Sequence, residues 1–181
     1  QYTFDALLDL LVDDGLGRSR DRVLTRNNAV YFRDYLEHQG AKTIVVEDEY
    51  VDSDFLDDFA AYYVRCFSTF SKITKRIHFF SCEFSQDGFR SCLTDPNSDL
   101  RKTLECRDVV ANSYLGFMVL KPLPETLIGR TCLKPYGNDN GRRHFPVTRL
   151  YHVGLFGIRL QVKTLAFQEQ DNEVSKCATS A

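Results

Sequence analysis

The spacing of apolar residues changes along this chain, and that change constrains its fold more than any other feature. Three early segments carry apolar residues three and four positions apart, which is the spacing of one helix face. These predicted helices are residues 4–12, 27–40 and 54–77. From Tyr114 onward the apolar residues come in short runs separated by turn-forming residues, which is typical of strands. The predicted strands there are residues 114–120, 126–133, 149–158 and 160–167.

Helices followed by strands predict an α+β fold, with N-terminal helices and then an antiparallel β-rich part. Two shorter strands are predicted within the first half, at residues 43–46 and 78–84. The polar stretch 85–113 predicts loops with at most a short helical turn. We divide the chain into a mainly helical part, a β-rich part and a short C-terminal segment that starts one more helix: residues 1–80, 81–167 and 168–181.

The longest predicted helix, residues 54–77, has a stripe of aromatic and aliphatic residues that we interpret as core. An acidic stretch, residues 47–54, precedes it. We expect Ser53 or Asp54 to cap this helix, because their side chains accept hydrogen bonds from free N–H groups of the first turn. A hard-cation site is the alternative, but the stretch lacks the spacing of a calcium loop. The stripe consists of Phe55, Leu56, Phe59, Tyr63, Phe67, Phe70, Ile73 and Ile77.

Charge and cysteine content limit the partners that we expect. The net charge of −2 gives no general attraction to nucleic acid or to an anionic membrane. No apolar run reaches the length of a membrane span, so we predict a cytoplasmic protein without a membrane partner. The six cysteines show no CxxC pair and no zinc-ligand spacing, so we expect reduced thiols, no metal and no cofactor.

The C-terminal segment carries the residues best suited to covalent chemistry. An apolar run ends at Phe167, Gln168 and Gln170 follow, and Cys177 comes after a polar loop. A cysteine in the first turn of a helix has a larger fraction of nucleophilic thiolate. A glutamine just before it can donate to the oxyanion of an acyl-transfer step, together with the backbone N–H of the cysteine. Cys177 is therefore the candidate nucleophile, Gln170 the candidate oxyanion donor and Gln168 its alternative.

This segment also carries a family resemblance, through Gln170, Asp171, Cys177 and Ala178. It resembles the papain-like cysteine peptidase superfamily, and especially the branches related to bacterial leader-peptide-processing peptidases. The resemblance covers residues 168–181. It implies the N-terminal portion of a cysteine peptidase or related thiol acyl-transfer enzyme, with a peptide or protein as substrate. It also implies a general-base histidine, either beyond Ala181 or, if the fold is circularly permuted, His152.

Two non-enzymatic functions remain as alternatives. The β-rich part could bind a protein or peptide along an edge strand. It could also serve as a nucleic-acid-binding accessory domain, since basic residues alternate there with aromatic ones, although the net charge argues against a nucleic-acid partner. The oligomeric state stays open, because a long aromatic helix serves a dimer as readily as a core. The basic residues are Arg130, Lys134, Arg142, Arg143 and Arg149, and the aromatic ones are Tyr136, Phe145 and Tyr151.

Overall fold

The computed structural model describes residues 1–12, 19–24, 27–94, 100–124, 126–137 and 142–169. Its helices are α1 (Phe4–Val12), α2 (Arg20–Leu24), α3 (Asn27–His38), α4 (Ser53–Ala61), α5 (Gln86–Thr94) and α6 (Leu100–Asn112), with a 3-10 turn at Tyr63–Arg65. Its strands are β1 (Thr43–Tyr50), β2 (Thr74–Phe80), β3 (Tyr114–Leu120), β4 (Ile128–Leu133), β5 (Arg149–Leu155) and β6 (Ile158–Thr164). All the strand pairs are antiparallel, so the predicted α+β class is confirmed.

The strands form two sheets. One has four strands in the order β1-β2-β3-β4, and the other is the hairpin β5-β6. The division predicted at residue 80 runs through the larger sheet, because β2 ends at Phe80 and pairs with β3. Strands from the first 80 residues therefore share one sheet with strands that follow.

Both faces of the four-stranded sheet are buried. On one face, Ile77 and Met118 pack with apolar residues of α1 and α3, such as Leu8 and Leu36. On the other face, Phe117 packs with the hairpin β5-β6 and with residues of α5 and α6. A sheet covered on both faces gives nearly continuous burial along its central strands, and β3 is buried at every position.

Helices α1 and α3 form where the sequence predicts helices at residues 4–12 and 27–40. Three leucines of α1 are buried along one face. After α3, Gly40 has a φ of 68°, the left-handed conformation that commonly ends a helix and that glycine adopts without steric cost. No helix in the described ranges is long and apolar enough to cross a membrane.

The predicted helix over residues 54–77 is wrong. Only α4 and the short 3-10 turn form, and from Thr74 the chain becomes β2. Six of the seven residues of β2 are buried, because the strand lies between β1 and β3. A nearly continuous apolar run does not distinguish a buried strand from a helix by its spacing, so pairing with two neighbours decided the outcome.

The acidic stretch takes part in both the sheet and the helix cap. β1 extends through Glu47 to Tyr50, where the sequence predicts a strand that ends at residue 46. The cap of α4 is Asp52, one residue before Ser53 and two before Asp54, the predicted candidates. Its carboxylate accepts from the Phe55 N–H at 3.0 Å. Among the described residues, no cluster of three or more acidic, histidine or cysteine side chains is placed to hold a metal ion.

Residues 85–113 contain α5 and α6, where the sequence predicts loops with at most a short helical turn. Cys92 of α5 and Cys106 of α6 are joined in a disulfide. This bond contradicts the expectation that all six cysteines are reduced. Disulfides are typical of oxidising compartments and rare in the cytoplasm, so this bond does not support the predicted cytoplasmic location, which stays a prediction.

Candidate functional site

The segment that leads toward the predicted nucleophile lies along the outer edge of β4. Thr131 and Phe167 exchange two backbone hydrogen bonds, of 2.7 Å and 2.8 Å. Two residues later, the Glu169 N–H donates to the Ile128 carbonyl at 3.1 Å. The Ile128 N–H in turn donates to the Glu169 carboxylate at 3.1 Å. Three backbone hydrogen bonds and one to a side chain therefore hold this segment against the sheet edge, with an isolated β-bridge at Phe167.

The predicted site residues are only partly covered by the described ranges. Gln168 lies between the two bonded residues Phe167 and Glu169 and is half-buried. Gln170 and Cys177 lie outside the described residues. The pairing of Gln170 with Cys177 therefore stays a prediction.

His152 is an exposed residue of β5, opposite Gln161 of β6. Its neighbours Val153 and Leu155 alternate into the core, so the imidazole lies on the outer face of the hairpin. No hydrogen bond or ion pair within the described part of the chain holds the His152 ring. The structure therefore does not bring His152 and Gln168 into hydrogen-bonding contact.

An aromatic cavity lies directly beside the segment that carries Gln168. Its volume is about 540 Å³, within the range of small-molecule and side-chain pockets. Its wall includes Phe167 itself, whose ring centre is 6.2 Å from that of Phe32. The other lining aromatic residues are Tyr31, Tyr35, Tyr136 and Phe145, together with Pro135, Pro146 and His144.

The rings of this aromatic cavity contact one another and a cation. Tyr31 stacks on Tyr35 with ring centres 5.9 Å apart, and Tyr136 meets Tyr35 edge-on at 4.6 Å. The Arg143 guanidinium lies 4.8 Å from the centre of the Tyr136 ring, which is cation–π geometry. Burial raises the pKa of Tyr35, and its two tyrosine neighbours add to that rise, so the Tyr35 hydroxyl stays uncharged at neutral pH. The cavity suits an apolar or aromatic group.

A second polar cluster lies inside the fold, in an array of Tyr114, His78, Glu47 and Arg76. The Glu47 Oε2 atom is 3.0 Å from His78 Nε2 and 2.5 Å from Arg76 Nε. The Tyr114 hydroxyl is 3.0 Å from His78 Nδ1. Arg76 also donates to the Gly154 carbonyl at 2.8 Å, which ties the sheet to the hairpin.

The protonation state of this array follows from its surroundings. Burial lowers the pKa of His78, and the hydrogen bond that its ring donates to Glu47 opposes this shift only in part. Burial alone would raise the pKa of Glu47, but hydrogen bonds from His78 and Arg76 outweigh it and lower that pKa. His78 is therefore neutral, with its Nε2–H donating to Glu47 and its Nδ1 accepting from the Tyr114 hydroxyl. Because His78 is 0% exposed, we interpret the array as structural and not catalytic.

Sequence reasoning did not find the aromatic cavity or the buried array. Tyr31 and Tyr35 stand four positions apart in α3, but this spacing is equally typical of a core face. Glu47 belonged to an acidic run that helix capping explained well. Neither pattern carries a local signal of its distant partners.

Comparisons of the chain with protein-family models, with curated proteins and with solved structures found no significant match. The functional argument therefore rests on the chemistry of the residues and on the geometry of the described part.

Proposed function

We propose that this chain is part of a papain-like thiol acyl-transfer enzyme, with Cys177 as nucleophile and Gln170 as oxyanion donor. The observation that supports it best is the anchoring of Phe167 and Glu169 on the edge of β4. A catalytic glutamine and cysteine need a rigid support, because small displacements of reacting groups cost large factors in rate. The segment that leads to both residues has such a support. Gln168 is the alternative donor.

The proposed reaction proceeds through a thioester. The Cys177 thiolate attacks the carbonyl carbon of a peptide or protein substrate, and the negative charge moves to the carbonyl oxygen. The Gln170 side chain and the Cys177 backbone N–H donate to that oxygen. When the C–N bond breaks, a histidine transfers a proton to the departing amine. Water or an amine then attacks the thioester and releases the thiol. His152 is the candidate base within residues 1–181, and a downstream histidine is the alternative.

The aromatic cavity supports a substrate with an apolar side chain near the bond that is cleaved. Phe167 belongs both to the cavity wall and to the anchored segment that leads to Gln168. A substrate side chain in this cavity would contact the aromatic rings of its lining. We therefore propose a peptide or protein substrate with an aromatic or aliphatic side chain there.

The experiment is site-resolved labelling of the full-length protein with a peptidyl vinyl sulfone that carries a phenylalanine side chain. Mass spectrometry measures the rate at each cysteine. We expect Cys177 to react at least about tenfold faster than Cys66, a half-buried free thiol. Gln170→Ala should slow the release of product from a thioester substrate, and Cys66→Ala is the matched control without effect. Labelling of Cys177 no faster than that of Cys66 contradicts the proposal.

Two further results decide between the alternatives. If His152→Asn leaves the rate and pH profile of Cys177 labelling unchanged, His152 is not the base, and the histidine proposed downstream of Ala181 is the one to test next. If Cys177 is unreactive and the protein binds oligonucleotides with an affinity that falls steeply with salt, the chain is a nucleic-acid-binding accessory domain. If it is unreactive and binds peptides alone, the chain is an interaction module.

A further inference from the structure

The two edges of the four-stranded sheet differ in whether another segment of the chain covers them. The outer edge of β4 is covered by the segment around Phe167. The outer edge of β1 pairs with no strand of the described residues. Just before β1, the Tyr2 N–H donates to the Lys42 carbonyl at 2.7 Å, but this contact ends where the strand begins. Thr43 itself is only 4% exposed, so β1 presents an open row of backbone donors and acceptors from Ile44 onward.

The two halves of β1 differ in whether they carry features that prevent pairing with another strand. The second half carries Glu47, Asp48 and Glu49, and its register shifts between Glu47 and Tyr50. Charges and bulges on an edge strand are features that prevent pairing with other chains. The first half, Thr43 to Val46, has neither a charge nor a proline nor a bulge. Only this half is chemically suited to accept another strand.

A cleft of about 490 Å³ lies beside this unprotected half of β1. The cleft is also lined by Phe84, by residues of α5 and by Phe156 in the turn between β5 and β6. The rings of Phe84 and Phe89 stack with centres 5.4 Å apart, and Phe156 meets Phe89 edge-on at 6.3 Å. A backbone edge beside an aromatic wall is the arrangement with which domains bind extended peptides by strand addition.

Phe156 is a second, independent sign of a binding site. It occupies the two-residue turn between β5 and β6 with a φ of 46°, and Gly157 follows with a φ of 85°. Such turns favour asparagine and glycine, because other side chains are strained at positive φ. The phenylalanine is nevertheless 56% exposed, so core packing does not account for it. Its side chain lines the cleft.

We propose that this cleft binds an extended peptide segment of another protein, as an additional strand on Thr43 to Val46. The peptide places an aromatic or aliphatic side chain against the Phe84, Phe89 and Phe156 wall. A basic residue follows at the end that reaches Glu49, because the edge becomes acidic there, while Arg90 on α5 disfavours a cation within the cleft itself.

This proposal does not depend on Cys177. The β1 and β4 strands lie three strand spacings apart, roughly 14 Å. The peptide site and the anchored C-terminal segment therefore occupy opposite edges of the sheet. The two proposals can therefore fail separately.

The experiment selects binding peptides for the full-length protein from a phage-displayed random library of about twelve residues. Selected peptides should share alternating apolar positions, an aromatic or aliphatic residue and a flanking lysine or arginine. Hydrogen exchange should show slower exchange at the amides of Thr43 to Val46 when a selected peptide is bound. Absence of enrichment, or binding without this protection, overturns the proposal. Dimerisation through β1 in the absence of peptide overturns it as well, since the occupant is then a second copy.

The critical variant is Phe156→Asn, which suits the turn better than the native residue. We expect at least about a tenfold loss of peptide affinity, with a melting temperature equal to or above that of the wild type. Phe67→Ala removes a fully exposed aromatic ring outside the cleft, so it is the matched control, with affinity unchanged within about twofold. Glu49→Lys should weaken binding about threefold or more, through the peptide's basic residue. Unchanged affinity in Phe156→Asn contradicts the proposal.

Discussion

Replacing Glu47 by glutamine tests whether the buried array stabilises the fold through its charge. The Oε2 atom of Glu47 accepts from both Arg76 at 2.5 Å and His78 at 3.0 Å. The side chains of Glu47 and Arg76 are only 18% and 11% exposed, so water screens the pair weakly. Glutamine has nearly the same shape and keeps one acceptor oxygen. The substitution therefore removes the negative charge and leaves the packing in place.

The size of the effect follows from this burial. Breaking a fully buried ion pair costs about 3–5 kcal/mol, whereas an exposed pair contributes about 0–1 kcal/mol. The Glu47–Arg76 pair is mostly buried, and glutamine still accepts one hydrogen bond. We therefore expect the free energy of unfolding to fall by about 2–3 kcal/mol. For a domain of this size, that lowers the melting temperature by about 4–12 °C.

The assay is urea unfolding followed by circular dichroism, with a thermal scan beside it. Asp48→Asn is the matched control, because Asp48 is the next residue of β1 and its side chain is 73% exposed, 3.7 Å from Lys75. We expect that control to change the free energy of unfolding by less than about 0.5 kcal/mol. An equal fall in the free energy of unfolding for Glu47→Gln and Asp48→Asn would refute the reasoning, because burial would then not strengthen the Glu47–Arg76 ion pair.

Three further predictions follow from the buried groups and the backbone. The pKa values of His78 and Glu47 are both lowered on folding, so the unfolded chain binds protons first as the pH falls. The free energy of unfolding should decrease below about pH 6.5 and again below about 4.5, as measured by urea unfolding across that range. Gly116→Ala should cost more than about 3 kcal/mol or prevent folding, because φ is 129° and the added Cβ would lie 2.0 Å from the Cys132 carbonyl oxygen. Gly154→Ala is the control, because nothing beyond its own chain neighbours lies within 4 Å of the added Cβ, and it should change the free energy of unfolding by less than about 1 kcal/mol in the same assay. Burial raises the pKa of Cys132 to about 12, so iodoacetamide should modify this thiol only after unfolding, as read by mass spectrometry.

Local patterns were sufficient to predict several elements. α1 and α3 follow from helical spacing, and β3, β5 and β6 follow from strand-like apolar runs. These predictions succeed because each element has its own apolar face, which the order of residues within the element defines. The hairpin between β5 and β6 likewise depends on a turn of two residues.

Local patterns failed where the environment decides between two conformations. The apolar residues from Phe55 to Ile77 fit a helix, yet β2 forms because it gains partners on both sides. Residues 85–113 read as polar loops, yet α5 and α6 pack through Phe89 and Val110 against the second face of the sheet. In both cases, contacts with distant segments outweighed the local preference.

The sequence by itself determined the chemistry available in the C-terminal segment, where Gln170 and Cys177 stand close together along the chain. It also determined that His152 lies on the opposite face of β5 from Val153. Only the tertiary structure decided that Glu47, His78 and Tyr114 meet, because 31 residues separate the first pair and 36 the second. It also decided that a segment covers one edge of the sheet, whereas no strand of the described residues pairs with the other. The physical reason is the same for both. Burial and hydrogen-bond pairing depend on which distant segments meet, whereas the spacing of apolar residues is a property of each segment alone.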